Sequence, residues 1–469
     1  MAVAKIIIHD EVNCTITGLA NNDARVLYEK YGILIEGAIF NPAVKLGRWD
    51  GKIRFYSDAG RTYVRLLDEI IPILVEMEYE LELKDNRTYF EPPKMRASED
   101  MFGHIMGYHN EPLKVRPYQV ECVNALVEEG SGFIIAGTGA GKSLITAALC
   151  AVYGSADYKT ITIVPSGDLV AQTVDAFRMC GLDVGEYSGD KKEVDKQHVV
   201  ATWQSLQNNP MAMKLFQVVI VDEAHGAKAD VIKSLISDHG AHIAFRFGVT
   251  GTFPKPVIDQ INLRITIGSI LKRIESKWLI ENGYLAKVDI DLIQTEEKVD
   301  LPDYTAEKSF LARSEDRIEL LARMIENDAK IHGNTLVLVN SVPFGRKLAK
   351  QIKGATFLSG ESENEERQEH YKQFDEEDGK IVVATSGIAS TGISIDRIFC
   401  LYFIDLGKSF IRAIQSVGRG LRKGRDKNHV LVRDVYSSLK YSKKHAKERI
   451  KWYTEAGYPM SPIKKIKYR

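Results

Sequence analysis

Ala-Gly-Thr-Gly-Ala-Gly-Lys-Ser, at residues 136–143, is the stretch that decides the fold of this chain. It follows an apolar run at 133–135 and precedes a predicted helix at 143–153, so it lies at a strand-to-helix junction. Glycine lets the backbone approach a ligand closely, and the N-terminus of a helix attracts anions. The pattern therefore predicts a phosphate loop for ATP, in which Gly139 and Gly141 shape the turn, Lys142 contacts the β- and γ-phosphates and Ser143 binds Mg²⁺.

A second motif, which is acidic, strengthens this interpretation. The apolar run 218–221 leads directly into Asp222-Glu223-Ala224-His225. Carboxylates at the C-terminal end of a buried parallel strand face the ligand edge of an open α/β sheet. An acidic pair alone is more typical of a helix start. With a phosphate loop upstream, Asp222 is predicted to hold Mg²⁺ and Glu223 to orient or deprotonate the attacking water.

Arginines occur in a third motif, Gln-Ser-Val-Gly-Arg-Gly-Leu-Arg at 415–422. Arginine stays charged and donates in a fork that suits phosphate oxygens. We therefore expect Arg419 and Arg422 to reach the triphosphate from another domain and to act in catalysis, and the spacing leaves open which of them dominates. A nucleotide held by two domains would convert hydrolysis into movement.

Size and composition exclude several classes of protein. A chain of 469 residues is long enough for about three to four domains. The 63 Lys and Arg residues equal the 63 Asp and Glu residues, which argues against a uniformly basic binder of nucleic acid. The five scattered cysteines form no metal-ligand pattern. The N-terminal apolar run is too short for a signal peptide, and no later run could span a bilayer, so we expect a soluble cytoplasmic protein.

The patterning predicts an α/β fold with two tandem parallel-sheet lobes preceded by a small α+β domain. Continuous apolar strands that alternate with helices indicate sheets buried on both faces. A less regular stretch at 286–310 separates the two series. The expected domains are a small N-terminal domain for substrate recognition at 1–110, lobe one with the ATP motifs at 111–290, lobe two with the arginine motif at 291–435, and a basic helix or tail at 436–469.

From about 113 to 433 the motifs resemble, in family order, those of superfamily 2 helicases and translocases that carry a DEAH tetrad. This resemblance implies two RecA-like lobes around one ATP. Arg116-Pro-Tyr-Gln119 is similar to the adenine-recognition motif, so Arg116 and Gln119 are implied to bind the nucleotide. Thr250-Gly-Thr252 is similar to motif III, which couples hydrolysis to strand binding. Lobe two lacks a complete phosphate loop and is expected to assist the same ATP.

The resemblance also implies residues that contact the nucleic-acid backbone, in motifs Ia, Ib, IV and V. Each short segment could instead be structural, because Ser and Thr often cap helices and Pro often ends strands. Motif V further implies Gly392 and Asp396 as nucleotide-binding residues. The implied backbone contacts are Pro165, Ser166, Thr202, Gln204, Ser359, Thr385 and Thr391.

Along its whole length the chain is similar to the recombination helicases of T-even bacteriophages, including their small N-terminal domain. This likeness implies branched DNA as the substrate, with migration of Holliday junctions or forks and unwinding of R-loops in recombination, replication and repair. It also implies a location in the cytoplasm of the host cell. We expect a monomer; protein partners cannot be inferred.

Two segments combine cations with aromatics, which can bind phosphate and stack on bases. In the N-terminal domain Arg48, Trp49 and Lys52 are predicted to contact DNA, although a strand with a buried aromatic face explains them equally well. The C-terminal tail is rich in lysine, and Trp452 and Tyr453 are candidate stacking surfaces. A solvated helix is the alternative for the tail.

Two other functions share these motifs. An RNA helicase or remodeller would use every ATPase residue and differ only in its polymer, for which contacts to the 2′-hydroxyl would be needed. A nucleotide-switched binding protein would clamp nucleic acid without unwinding it, and the presence of Glu223 argues against it. Stimulation of ATP hydrolysis by different polymers separates the three.

Overall fold

A computed structural model describes residues 2–106, 111–137, 139–223, 229–254, 256–362, 364–386, 397–407, 429–455 and 457–468. The chain divides into two units, Met1–Ala136 with Gly141–Arg273, and Gly137–Ala140 with Ile274–Arg469. The first unit contains an N-terminal sheet and a larger parallel sheet, here called lobe one. The second unit contains another parallel sheet, here called lobe two.

The N-terminal sheet has four strands in the order β5-β2-β1-β6. Its apolar face packs on helices α1 and α3, around Ile6, Leu27 and Ile70. Short 3-10 turns cover Ala38–Phe40 and Val64–Leu66. The elements are β1 (Val3–Ile8), β2 (Asn13–Thr17), α1 (Asn21–Lys30), β3 (Gly32–Leu34), α2 (Pro42–Lys45), β4 (Lys52–Arg54), β5 (Arg61–Tyr63), α3 (Leu67–Glu76) and β6 (Glu80–Asp85).

Lobe one is an eight-stranded sheet in the order β10-β9-β11-β8-β12-β13-β7-β14. Strands β7, β8 and β11 are buried along their whole length, as expected for a sheet covered on both faces. Its elements are α4 (Pro117–Glu129), β7 (Ser131–Ala136), α5 (Lys142–Gly154), β8 (Thr160–Val164), α6 (Gly167–Met179), β9 (Val184–Ser188), β10 (Lys191–Lys192), β11 (His198–Thr202), α7 (Trp203–Asn208), β12 (Val218–Asp222), α8 (Ala229–Ser234), β13 (Phe245–Thr250), α9 (Val257–Thr266) and β14 (Ile270–Ile274).

Lobe two is a seven-stranded sheet in the order β17-β18-β16-β19-β20-β15-β21. Alternate residues of its strands enter two apolar layers: Leu336 and Leu338 face one, Val337 and Val339 the other. Its elements are α10 (Ser276–Glu281), β15 (Lys287–Glu296), α11 (Tyr304–Arg313), α12 (Glu315–His332), β16 (Thr335–Val339), α13 (Val342–Gln351), β17 (Ala355–Leu358), α14 (Asn364–Glu376), β18 (Ile381–Thr385), β19 (Cys400–Ile404), β20 (His429–Ser437), α15 (Lys440–Glu455) and β21 (Lys464–Lys467).

The α/β class and the parallel sheets confirm the predicted fold class, while one local expectation is wrong. The stretch 286–310 is regular, since it contains β15 and α11. Lys287, Asp289 and Asp291 alternate with buried apolar residues in β15 and made it look irregular.

Three further points concern membrane spans, cysteines and domain boundaries. No helix in the described part of the chain combines the length and the apolar character that a bilayer span requires. All five cysteines are buried free thiols. The domain boundaries at 110, 290 and 435 stay predictions.

A buried histidine makes the stability of the fold depend on pH. His198 at the start of β11 is 2% exposed, and its Nδ1 lies 2.9 Å from the hydroxyl of Thr160. Burial lowers the pKa of His198 from 6.5 to about 4. Between these values the unfolded chain takes up a proton and the folded chain does not, so stability is full above pH 6.5 and falls toward pH 4. The loss at pH 5 is about 2 kcal/mol.

His198→Asn removes this titration and should flatten the dependence. Urea unfolding of the wild type and the variant at pH 7 and pH 5 gives the change in the free energy of unfolding for each protein. Equal pH dependence in wild type and variant would contradict the assignment.

Candidate active site

The phosphate loop joins β7 to α5 at the carboxyl edge of the lobe-one sheet. Gly139 and Gly141 have φ angles of 82° and 74°, a left-handed backbone that glycine adopts readily. Helix α5 begins at Lys142, directly after the loop. A turn of this shape at a helix N-terminus directs backbone N–H groups toward an anion. The structure therefore places the predicted loop residues at a strand-to-helix junction that suits phosphate.

Lys142 and Glu223 meet at this edge. The Lys142 ammonium lies 3.0 Å from Glu223 Oε1, and both side chains are mostly buried. The backbone N–H of Gly251 donates to Glu223 Oε2 at 3.3 Å. A Cβ on Gly251 would lie only 3.3 Å from the Lys142 nitrogen, so a larger residue would crowd the pair. Residues from three of the predicted motifs are thus in mutual contact.

The strand order explains why these motifs converge. Strand β13 lies between β12 and β7, and all three run parallel, so their carboxyl ends share one edge. Glu223 follows β12 with a left-handed φ of 51°, and its N–H donates to the Val249 carbonyl at 3.0 Å. This strained turn re-aims the Glu223 carboxylate toward Gly251 instead of continuing the strand.

Ser143 and Asp222 fit a magnesium ion in their chemistry. Asp222 is the last residue of β12, and Ser143 is the second residue of α5, so both stand at the carboxyl edge. A hydroxyl and a carboxylate are the hard oxygen donors that Mg²⁺ takes. Because Glu223 is paired with Lys142, Asp222 is the neighbouring carboxylate suited to this role.

Gln119 connects the start of α4 to the phosphate loop. Its side-chain oxygen accepts from the Arg116 N–H at 2.9 Å, and its amide nitrogen donates to the Gly141 carbonyl at 3.4 Å. A Cβ at position 141 would lie 2.4 Å from that nitrogen, a second reason for glycine there. The Arg116 guanidinium donates to the Tyr118 hydroxyl. The predicted contact of Arg116 and Gln119 with a base stays a prediction.

Motifs Ia and Ib touch each other at the same edge. Gln204 donates from its side-chain amide to the Pro165 carbonyl at 3.4 Å. Ser166 and Thr202 cap helices: their hydroxyls accept from the N–H groups of Leu169 and Ser205. Both hydroxyls therefore have the helix-capping role that the sequence left open as an alternative.

The predicted residues of lobe two are only partly described. Ser359 is 2% exposed, and its hydroxyl accepts from the Glu361 N–H at 3.3 Å. Thr385 ends β18. The remaining motif V and motif VI residues and one tetrad residue lie outside the described residues, namely His225, Thr391, Gly392, Asp396, Arg419 and Arg422.

The carboxyl edge of lobe two contains a buried polar network that the sequence did not reveal. Arg317 is fully buried, with its guanidinium 2.7 Å from Asp405 and 3.5 Å from Glu297. Asn340 donates to the Asp405 carbonyl. Glu297 and Arg317 lie in segments that look like ordinary charged surface, so no local signal marks them.

The N-terminal candidates are placed on the surface. Arg48 is exposed, and the Trp49 indole N–H donates to the Lys52 carbonyl at 3.0 Å. The Lys52 ammonium pairs with Glu29 at 2.9 Å. Of the three predicted contacts, Lys52 is therefore already paired, and Trp49 also stabilises the local turn.

One of the two aromatics of the C-terminal helix that were expected to stack on bases is buried. Tyr453 has no exposed surface, and its hydroxyl donates to Asp434 at 2.8 Å. Arg449 is 2% exposed and forms a bidentate pair with the same carboxylate. The helix packs on lobe two because its aromatic residues fill the core, and strand β21 extends the sheet beyond β15. The expectation that Tyr453 stacks on bases is wrong.

Comparison with known families matches two segments of the chain. Residues 112–255 match the family described as "Type III restriction enzyme, res subunit". Residues 316–424 match the "Helicase conserved C-terminal domain". The two segments contain the phosphate loop and the arginine motif respectively, in the order predicted from the sequence.

Curated relatives match more of the chain. The "ATP-dependent DNA helicase uvsW" of Enterobacteria phage T4 is 25% identical over 458 residues, which cover 90% of this chain and 91% of that protein. The "DNA 3'-5' helicase XPB" of Kineococcus radiotolerans is 27% identical over 396 residues, covering 77% of this chain and 68% of that protein. The similarity to the phage protein extends well beyond the two matched domains.

A solved structure supports the fold. The "ATP-dependent Type ISP restriction-modification enzyme LlaBIII bound to DNA" superposes with a TM-score of 0.58 at 12% identity, covering 85% of this chain and 36% of that one. At this identity the likeness concerns the fold alone.

Proposed function

We propose that this chain, which is a superfamily 2 helicase that hydrolyses ATP, moves along DNA and acts on branched DNA. The observation that carries the motor function is the contact of Lys142, Glu223 and Gly251 at one sheet edge. The two matched helicase domains agree with it. The alignment with the T4 helicase supports DNA as the polymer, because it runs through 90% of the chain.

The Lys142–Glu223 pair explains how nucleotide binding would activate hydrolysis. Phosphate oxygens compete with the Glu223 carboxylate for the Lys142 ammonium, since both are anionic acceptors. When Lys142 turns to the phosphates, Glu223 loses its cation and becomes available to take a proton from water. The Gly251 N–H keeps the carboxylate in place during this exchange. Binding and activation of the general base are thereby linked.

The other nucleotide contacts complete the proposal. Ser143 and Asp222 would hold Mg²⁺, and the ion would supply charge neutralisation at the phosphates. We assign Arg116 and Gln119 to the adenine base, because they match the family's adenine-recognition motif. The assignments of Gly392 and Asp396 to the nucleotide, and of Arg419 and Arg422 to the transition state, rest on the family motifs.

The DNA path is proposed from the same reasoning. Pro165 and Gln204, which are in contact, place motifs Ia and Ib together on lobe one. The exposed Arg48, between α2 and β4 in the N-terminal part of the chain, is a candidate phosphate contact for a second region of DNA. Holliday junctions, forks and R-loops present such additional duplex arms, so roles in recombination, replication and repair follow. We expect the protein to work as a monomer.

Stimulation of ATP hydrolysis tests the substrate. Steady-state ATPase is measured without polymer and with single-stranded DNA, duplex RNA or a four-way DNA junction, at equal nucleotide concentration and fixed salt. We expect the junction to stimulate most. Arg48→Ala should raise the junction concentration needed for half-maximal stimulation about fivefold, because one phosphate contact is lost. The slope of log affinity against log salt concentration should become less steep by about one.

Lys5→Ala is the control, since Lys5 is an exposed cation of β1 in the N-terminal sheet and pairs with Glu82. Its stimulation should equal that of the wild type. Stimulation by RNA alone would overturn the DNA proposal in favour of an RNA helicase. Absence of turnover with every polymer would favour a nucleotide-switched binding protein.

A further inference from the structure

The turn between β1 and β2, residues 9–12, enters lobe one; we call it the docking turn. The Glu11 N–H donates to the Ala241 carbonyl at 3.0 Å, and the Asn13 side chain donates to the Ser237 carbonyl at 3.2 Å. Val12 has no exposed surface and belongs to the buried cluster that forms the lobe-one core. The N-terminal sheet thus contributes a residue to the core of its neighbour.

Arg246 holds the docking turn from the lobe-one side. It is the second residue of β13 and is 1% exposed. Its guanidinium donates to the Glu11 carbonyl at 2.7 Å and to the Ile243 carbonyl at 3.3 Å. Burial lowers the pKa of Arg246 to about 10, because few water molecules solvate the charge. A buried arginine is costly unless its partners stay in place, so loss of the docking turn would leave an uncompensated charge.

The docking surface is broader than one residue. Ile265 of α9 is fully buried in the apolar cluster of the N-terminal sheet. The Lys233 ammonium lies 5.1 Å from the centre of the Phe55 ring and 5.2 Å from that of Tyr63. The N-terminal sheet and lobe one each place a residue in the hydrophobic core of the other. This distinguishes a continuous hydrophobic core from two domains joined by a linker.

The position of Arg246 also shows at which edge of the lobe-one sheet the docking turn lies. Arg246 lies near the amino end of β13, whereas Thr250 and Gly251 lie at its carboxyl end with the ATP residues. Five residues of strand span about 17 Å. The docking turn therefore sits at the edge of the sheet opposite to the ATP site and to motifs Ia and Ib.

We propose that the N-terminal sheet is a fixed part of lobe one rather than a tethered module, and that Arg246 is the positioning residue that fixes it. DNA held by the N-terminal sheet then moves rigidly with lobe one while the motor acts from the opposite edge. The statement about DNA rests on the proposed function, whereas the rigid attachment does not.

Hydrogen exchange read at single amides tests the attachment without ATP or nucleic acid. In the wild type, the Glu11 amide should exchange as slowly as the amides of β1, because undocking would require opening the shared core. A Glu11 amide that exchanges at least about tenfold faster than those of β1 would overturn the proposal. Since no polymer is present, failure here is distinct from failure of the DNA proposal.

Arg246→Met tests the positioning role, with Arg178→Met as the control at an exposed arginine in the last turn of α6. The Arg246 variant should speed Glu11 exchange at least tenfold and lower the ratio of junction to single-strand stimulation, while single-strand turnover stays within about twofold. The Arg178 variant should change none of these. An unchanged Glu11 rate in a folded Arg246 variant overturns the role of Arg246; if the variant does not fold, the wild-type exchange decides.

Discussion

Replacing Lys142 by alanine is expected to lower the kcat of DNA-stimulated ATP hydrolysis by about a thousandfold. The Lys142 ammonium contacts Glu223, and its replacement would remove both the proposed phosphate contact and the proposed exchange that makes Glu223 available as a general base. Helix α5 and the strands around it stay intact, because alanine is a good helix former. DNA binding, measured by fluorescence anisotropy without nucleotide, should therefore remain within about threefold of wild type.

Lys196→Ala is the control for this variant. Lys196 is a partly exposed lysine of the same lobe, paired with Asp183 at 2.9 Å, so its loss removes a cation without touching the site. Normal turnover by Lys142→Ala would eliminate the phosphate-loop assignment. Loss of DNA binding together with turnover would indicate a folding defect instead.

The second large effect is expected for Glu223→Gln, which should reduce kcat by about a hundredfold to a thousandfold while ATP still binds. The glutamine oxygen can still accept from the Gly251 N–H, so the turn is preserved. A neutral amide, however, takes no proton from water and no longer competes for the Lys142 ammonium. The variant should accumulate in the ATP-bound form, with an ATP affinity equal to or tighter than that of the wild type.

Single-turnover hydrolysis and equilibrium binding of ATP separate these two effects. Glu281→Gln is the control, since Glu281 is an exposed glutamate of α10. This variant should behave as wild type. An equal loss of ATP binding and of hydrolysis would contradict the role of Glu223 as general base. A double variant with Lys142→Ala should be little worse than the more damaged single variant, because residues that act as a unit are not additive.

The residues of the candidate ATP site could be selected from the sequence because their chemistry is local. Gly139, Gly141 and Lys142 follow one another at a strand end, and Glu223 follows an unbroken apolar run. The contact of Gly251 with Glu223 could be expected only from the family order of motifs. Hydroxyl groups were less informative, since capping and phosphate binding use the same residue types, and the structure gives Ser166 and Thr202 the capping role.

Tertiary contacts account for what the sequence could not reveal. Tyr453 looks like an exposed aromatic in a basic helix, yet it completes the core of lobe two. Arg246 lies between two phenylalanines in a strand, with no local sign that it binds a carbonyl 235 residues away. The docking turn also changes how the N-terminal sheet should be studied. Deletion of the N-terminal sheet would remove Val12 from the lobe-one core, so point variants test the role of the sheet more specifically.

The burial of every cysteine has a practical consequence for watching this motor at work. Burial raises the thiol pKa of Cys14 and Cys150 to about 12 and that of Cys122 and Cys180 to about 11, and it also raises that of Cys400. Maleimide dyes react with thiolates, so the native chain should remain almost unlabelled at neutral pH. A cysteine introduced at an exposed position such as Met211 would then take up dye selectively. Fluorescent pairs for single-molecule experiments can be installed without first removing any native thiol.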